Sequence, residues 1–336
     1  MEEPVPGPGE AVIRTSMVGI DGTDREIESG VYGTPPDGDE YLVLGHEAVG
    51  RVQEIGEMVE GLDAGQCVVP TVRRPDGCPN CLAGESDMCL TGNYREHGIF
   101  KLHGFASDLA LSDADFLVPV PAGLGDVAVL LEPLSIGEKA LQQIMKIQER
   151  MVWVPERAFV VGAGPLGLLT ALILRLRGME VWVTATRGQD SLKARTVGEM
   201  GGTYVNARES PISGWDEEFD IIMEATGALG PAVDAAGLLR RNGIMCIMGN
   251  YREPGSWKEV HKILYRMVLR NQLIFGSVNS NRRHFEMGLN DMTLIGREFG
   301  GILERMITRT LEPGEFKTAF SPDREDIKTV FDFSSD

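Results

Sequence analysis

The sequence predicts an α/β protein in two parts, a β-rich first domain and then a doubly wound parallel sheet with helices on both faces. Three observations carry that expectation. Residues 10–121 run as short apolar-alternating stretches bounded by glycine, proline and aspartate, the pattern of half-buried strands. Beyond Pro155, nearly continuous apolar strands alternate with helical stretches, as a sheet covered on both sides requires. A chain of 336 residues also exceeds what one compact core usually holds.

Taken in order, AVIRTSMVGI, AVGRVQEIG, QCVVPTVR and FLVPVP predict strands, interrupted by loops at residues 21–41 and 73–97. Residues 126–150 carry a helical pattern with a break near Pro133, because a proline inside a helix removes a hydrogen bond and crowds the preceding turn. RAFVVGAGPLGLLTALILRLRG then reads strand, glycine turn, helix. MEVWVTATR is a strand, SLKARTVGEMG a helix, FDIIMEATG a strand and GPAVDAAGLLR a helix. GIMCIMGN and LIFGSVN are further strands, with a helix in WKEVHKILYRMVLR between them. The tail is mixed helix and ends in the strand-like DIKTVFDF. No internal repeat or low-complexity segment is present.

Composition excludes several classes of function. Hydrophobic residues make up 43% of the chain, and no window reaches the roughly 18 consecutive apolar residues of a membrane span. The start, MEEPVPGPGE, is acidic and proline-rich rather than secretory, so a cytoplasmic location is expected. Fifty acidic against 32 basic residues give a net charge of −18, which argues against nucleic acid as a partner. Only 8 of the 32 basic residues are lysine, a balance suited to salt-rich surroundings or to an ordinary acidic cytosolic enzyme. Of five cysteines, Cys78, Cys81 and Cys89 crowd into CPNCLAGESDMC, a spacing that favours a metal over disulfides. Cys67 and Cys246 stand alone in apolar contexts and are expected as buried core thiols.

Gly162, Gly164 and Gly167, with Pro165 and Leu166 between the last two, form G-x-G-x-x-G directly after a strand and before a helix. That context fits a Rossmann dinucleotide turn: one glycine for the bend, one admitting the pyrophosphate, one for close packing of helix on strand. At the end of the next strand, an NAD-selective site would place an acidic residue for the ribose. This chain has Thr186 and Arg187, a pair able to hold a 2′-phosphate, so NADP is the expected cofactor, with NAD possible. The alternative for Arg187 is a solvated strand-end charge.

The stretch LGHEAVGRV places His46 beside Glu47 between glycines. It is not the H-E-x-x-H of a helical zinc protease, because Gly50 stands where the second histidine would be. Gly45, His46, Glu47, Gly50 and Val52 instead match G-H-E-x-x-G-x-V. Ahead of a dinucleotide domain, that signature resembles the medium-chain, zinc-dependent alcohol dehydrogenases. VGIDGTDREIESG, LVLGHEAVG, VPTVRRP, LEPLSIGEKAL and GSVNSNRRHFE narrow the resemblance to the archaeal glucose dehydrogenases, especially those of halophiles.

The resemblance implies a GroES-like catalytic domain over residues 1–140 with a structural zinc lobe at about 73–97. A Rossmann domain over 141–276 and a C-terminal segment, 277–336, returning to the catalytic domain would follow. Asp21, His46 and Glu132 would hold a catalytic Zn²⁺, with Glu47 a fourth, exchangeable ligand. Oxygen-rich ligation would let manganese or another divalent ion compete. The substrate proton would leave through Thr23 or Glu47. Asp76, Cys78, Cys81 and Cys89 would form the structural site, although the family's first cysteine is missing here; an empty lobe is the alternative.

Glu96 and Asn279 correspond to residues that contact the sugar, and Ser277, Val278, Asn279 and Thr226 of EATG to cofactor contacts. Two departures stand out. Where relatives place a histidine just before the Asn271 counterpart, this chain has Leu269 and Arg270, and the family's first strand pair is largely missing. The implied activity is oxidation of an aldose at C1 to a lactone with hydride transfer to nicotinamide. The alternatives are the same chemistry on alcohols or polyols, or a metal-silent quinone reductase or binding protein. Family members pair into dimers or tetramers through cofactor-domain sheet edges, a role GIMCIMGN and LIFGSVN could fill.

Overall fold

The computed structural model describes residues 3–251, 260–321, 323 and 325–334. The chain divides into two compact units, one comprising Met1–Ser135, Asn279–Thr293 and Leu303–Asp336, the other Ile136–Val278 and Leu294–Ile302.

The first unit begins with β1 (Glu10–Ile20), α1 (Gly22–Glu28), β2 (Glu47–Ile55) and β3 (Cys67–Pro70). Short elements follow: β4 (Arg73–Arg74), α2 (Pro79–Leu82), β5 (Arg95–His97), β6 (Lys101–Leu102), β7 (Leu109–Asp113) and β8 (Leu117–Pro119). Helix α3 (Leu131–Gln148) leads into the second unit. That unit holds β9 (Arg157–Val161), α4 (Pro165–Leu176), β10 (Glu180–Ala185), α5 (Leu192–Glu199) and β11 (Thr203–Asn206). It continues through β12 (Phe219–Glu224), α6 (Leu229–Ala236), β13 (Leu239–Ile247), α7 (Val260–Arg270) and β14 (Leu273–Gly276). The chain closes with α8 (Arg282–Phe299), α9 (Ile302–Met306), β15 (Ile307–Leu311), α10 (Phe316–Ala319) and β16 (Lys328–Asp332).

In the first unit a seven-stranded sheet runs β15-β16-β1-β2-β3-β8, with β7 also on β1. Strand β1 is its hub, antiparallel to β16, β2 and β7, and the register Gly19↔Glu47 and Gly19↔Val330 brings the start of β2 and the C-terminal strand to one end of β1. Ala11, Ile13, Val52, Val68 and Leu117 form one buried cluster, but β1 is buried on both faces along most of its length rather than alternating as the sequence suggests. In the second unit six parallel strands run β11-β10-β9-β12-β13-β14, the doubly wound order whose switch point lies between β9 and β12. All six residues of β12 are buried, as a central parallel strand covered on both faces should be. Phe159, Phe219, Ile222 and Met245 pack there with the half-buried Trp182 and Trp215.

Five expectations change. The loop at 21–41 contains α1, which Asp21 and Asp24 start by a reciprocal capping box. Pro133 does not break the helix: a 3₁₀ stretch, Gly125–Leu130, hands over to α3 just before it, so the proline falls in the first turn, where its missing N–H costs nothing. The helix read in GPAVDAAGLLR stops at Ala236, and β13 starts at Leu239, four residues before GIMCIMGN. Leucine suits either state, and the turn at Asn242, with φ of 62°, lets the strand begin early. Cys246 is buried, but Cys67 is only half-buried. Of the two strands suggested as an association edge, only β14 lies at an edge; β13 is paired on both sides. In WKEVHKILYRMVLR the helix is seen from Val260; Trp257 to Glu259 lie outside the described residues.

Candidate metal centres and cofactor loop

The residues singled out around His46 come together in the first unit. Asp21 follows β1 and caps α1, its Oδ1 accepting the Asp24 N–H at 3.0 Å and its Oδ2 the Thr23 hydroxyl at 3.1 Å. His46 sits just before β2, with Nε2 3.8 Å from Asp21 Oδ2 and Nδ1 3.6 Å from Asp24 Oδ1. Glu132 joins from the first turn of α3. Asp21, Asp24 and His46 offer ligand atoms within 4.8 Å of one another, and so do His46, Glu47 and Glu132. His46 is thus shared between two overlapping groups.

The electrostatics are those of a cation site. Four carboxylates and one imidazole lie together, and His46, Glu47, Asp24 and Glu132 are all buried. Burial drives Glu132 up to about 8, with Glu47 and Asp21 adding to the shift against His46 and Lys328. Burial would lower His46, but Asp21, Asp24 and Glu132 overcome it and hold the imidazole well above its usual range. Burial raises Asp21 as well, yet His46, Lys328 and the bonds from Asp24 and Thr23 carry it below the normal carboxylate range. Among the described residues, His46 Nδ1 and Asp24 Oδ1 are buried and make no hydrogen bond. A divalent ion on the Nε2 side would relieve the crowded charge, and Asp24 on the Nδ1 side would fix the ring.

Two members of this cluster were not anticipated. Asp24 was legible only as the second half of the D-x-x-D cap. Lys328 comes from β16, at the other end of the chain, and forms a fully buried ion pair with Glu47. Gly19 leaves the room: a Cβ there would meet Glu47 Oε2 at 2.2 Å and Lys328 Cε at 2.7 Å.

Asp76, Cys78, Cys81 and Cys89 also converge, each offering a ligand atom within 4.8 Å of the others. Cys78 starts α2 with Pro79 behind it, and its N–H donates to Asp76 Oδ1 at 2.9 Å. The Sγ atoms of Cys78 and Cys89 are 4.0 Å apart, and the Leu90 N–H points at Cys78 Sγ from 3.4 Å. Bonds from Thr91 and the Cys78 N–H hold Asp76 far below its usual range, while burial pushes the Cys81 thiol up to about 12. Three sulfurs and one oxygen in this geometry fit a tetrahedral ion, which would deprotonate the thiols.

Glu96, on β5, is buried, and its Oε1 accepts Asn279 Nδ2 at 2.7 Å and Arg73 Nε at 2.9 Å. The two residues matched to sugar contacts, 183 positions apart, are therefore hydrogen-bonded to each other. Asn279 takes a left-handed backbone, φ 58°, uncommon outside glycine and frequent at functional positions.

In the second unit the β9–α4 turn has the geometry its glycines predict. Gly162 has φ of 111°, and a Cβ on Gly167 would lie 2.0 Å from Gly162 O, so helix and strand meet only with glycine there. Gly164 caps α4, Pro165 is its first residue and Leu166 follows, leaving the helix N-terminus open to phosphate. Beyond β10, Thr186 is exposed and Arg187 half-buried, its carbonyl accepting the Tyr204 hydroxyl at 2.9 Å. At the end of β12, the buried Glu224 accepts the Thr226 N–H at 2.7 Å and the Tyr251 hydroxyl. Ser277 N–H donates to Ile247 O at 2.9 Å, while its buried hydroxyl has no partner among the described residues. Val278 is exposed, its carbonyl taken by Lys139 at 2.8 Å.

Two family models match the chain: the alcohol dehydrogenase GroES-like domain over residues 7–122, and the glucose dehydrogenase C-terminus over residues 125–333. The chain belongs to the glucose dehydrogenase family. Glucose 1-dehydrogenase 2 of Vulcanisaeta moutnovskia is 43% identical over 333 residues, 99% of this chain and 94% of the relative. Glucose 1-dehydrogenase of Methanocella arvoryzae is also 43% identical, over 100% of this chain and 95% of its own. Among solved structures, glucose dehydrogenase of Haloferax mediterranei in complex with NADP, Zn and gluconolactone superposes with a TM-score of 0.92 at 35% identity, covering 100% of this chain and 95% of that one. The mixed α/β fold of this family, a Rossmann sheet with a GroES-like domain, is the one built above. Within it, Leu269 and Arg270, which replace the expected histidine, lie on α7, where Leu269 is exposed and Arg270 pairs with Glu218. No described helix is long and apolar enough to cross a membrane.

Proposed function

We propose that this protein is a zinc-dependent, NADP-linked dehydrogenase that oxidises an aldose, glucose in the first instance, at C1 to the lactone. The observation that carries the reading is that Asp21 and Glu132 each share a ligand group with His46, in the unit that also holds the hydrogen-bonded Glu96–Asn279 pair. Asp21, His46 and Glu132 would hold the ion, with Glu47 in reserve while Lys328 retains it. When bound, Zn²⁺ polarises a substrate hydroxyl and lowers its pKa. Thr23 Oγ1, whose hydroxyl donates to Asp21 Oδ2, would accept the substrate proton and pass it on. Glu96 and Asn279 would orient the sugar by hydrogen bonds that a simple alcohol could not make.

The Gly162–Gly167 turn would take the cofactor pyrophosphate, and Thr186 and Arg187 the 2′-phosphate. Thr226, Ser277, Val278 and Asn279 would meet the ribose and nicotinamide end. Asp76, Cys78, Cys81 and Cys89 would hold a structural zinc that stiffens a lobe with little core of its own. Free cysteines in that lobe fit a reducing cytoplasm. The exposed edge of β14, beside Leu264, Tyr265 and Val268 on the outer face of α7, suits a homodimer or homotetramer.

The test is a substrate panel of aldoses, polyols and short alcohols with NADP and NAD, run with metal analysis. Oxidation confined to aldoses supports the reading. Preference for polyols or short alcohols shifts it to the alternative substrate class, and full turnover in metal-free protein removes it.

A further inference from the structure

The mechanism above leaves unexplained what keeps the Glu96 carboxylate in one orientation. Arg73 faces Glu96 across the β4–β5 pair. Its Nε and Nη2 both lie 2.9 Å from Glu96 Oε1. Its Nη1 reaches back to Ser86 O at 3.4 Å and Asp87 O at 3.2 Å, and the guanidinium carbon sits 3.6 Å above the centre of the Tyr94 ring. Two edges and one face of the planar group are therefore engaged, and the fork cannot swing. Asn279 Nδ2 adds a third donor to the same oxygen. Among the described residues no donor reaches Oε2.

The other end of this arrangement rests on the cysteine lobe. Asn281 Nδ2 bridges Glu85 Oε2 and Asp87 Oδ1, both at 2.8 Å, and Arg283 grips Glu85 at 2.7 and 2.9 Å. Residues 85–87 thus carry both Arg73 and the segment that presents Asn279.

We propose that Arg73 is a positioning residue for the sugar, saturating Oε1 of Glu96 so that Oε2 is left as the charged acceptor for one substrate hydroxyl. This rests on the reading of Glu96 and Asn279 as sugar contacts. The chemistry is selective: one ionised oxygen occupied by three protein donors, the other available, defines a single acceptor of fixed direction. A sugar lacking the matching hydroxyl would leave that acceptor unpaired.

The test uses the metal-loaded enzyme with saturating NADP, glucose and a set of monodeoxyglucoses, and titration calorimetry of glucose as a second readout. Arg73→Gln is expected to raise KM and the dissociation constant for glucose by about 10- to 100-fold, the range of a lost charge-assisted hydrogen bond, with kcat and KM for NADP little changed. For one monodeoxy sugar the variant and the wild type should bind alike. Arg73→Lys, which keeps the charge but not the fork, should recover part of the loss, and it carries the test should Arg73→Gln fail to fold. Unchanged glucose binding, or a uniform loss across every sugar and the cofactor, overturns the proposal. A wild-type enzyme that oxidises no aldose overturns instead the functional reading on which it rests.

Discussion

Lys328, from the last strand, forms its ion pair with Glu47 entirely inside the first unit, on the wall of the candidate metal centre. Breaking a buried pair from one side leaves an uncompensated charge. Lys328→Met is expected to cost about 3–5 kcal/mol in urea unfolding. Adding Glu47→Gln should recover most of that loss, because no charge is then left unpaired. A single variant as stable as wild type would mean that Glu47 takes up a proton and needs no lysine.

Metal loading should release protons. Burial pushes Glu132 up to about 8, so at pH 7 the ion-free site carries a proton there, and the surrounding carboxylates hold His46 above its usual range. Ligation needs both deprotonated. Zinc titrations in buffers of different ionisation enthalpy should therefore show proton release, and affinity should fall as pH drops below about 8. Binding with no buffer dependence contradicts this electrostatic picture.

His97, packed on Phe105 with Nδ1 2.6 Å from His103 O, is neutral in the folded chain. Burial, with Arg74 nearby, takes it down to about 3 from an ordinary 6.5. Between those values the unfolded chain binds the extra proton and the native one does not, so stability falls as pH falls from 6.5 toward 3. At pH 5 the loss from this one group is about 2 kcal/mol. His97→Asn, which keeps a donor for the carbonyl, should flatten the pH dependence of the unfolding midpoint over that window; an unchanged slope removes His97 from the account.

Arg187 is the residue proposed to set the cofactor preference. Arg187→Ala should raise KM for NADP by about tenfold or more, the worth of a charge-assisted contact to phosphate, and leave KM for NAD nearly unchanged. Equal effects on both cofactors would return Arg187 to a solvated strand-end charge.

The parts of this protein that read directly from sequence are those whose chemistry is contiguous. The Gly162–Gly167 turn, the His46–Glu47 step and the Cys78–Cys89 cluster each announce themselves within fourteen residues or fewer. The doubly wound half was legible for a related reason, since buried parallel strands are continuous apolar runs. What escaped depends on pairing at long range. Lys328 reaches Glu47 only because β16 and β2 flank β1, and Arg73 faces Glu96 only through the β4–β5 register. No local pattern records either. The early start of β13 and the unbroken helix at Pro133 were missed because leucine-rich sequence and proline have a meaning set by position within an element.

The most direct test of the metal assignment is anomalous diffraction at the zinc edge from crystals of zinc-loaded protein. One peak is expected about 2.0–2.2 Å from His46 Nε2 and from carboxylate oxygens of Asp21 and Glu132. An active crystal with no peak among those three side chains would contradict the account.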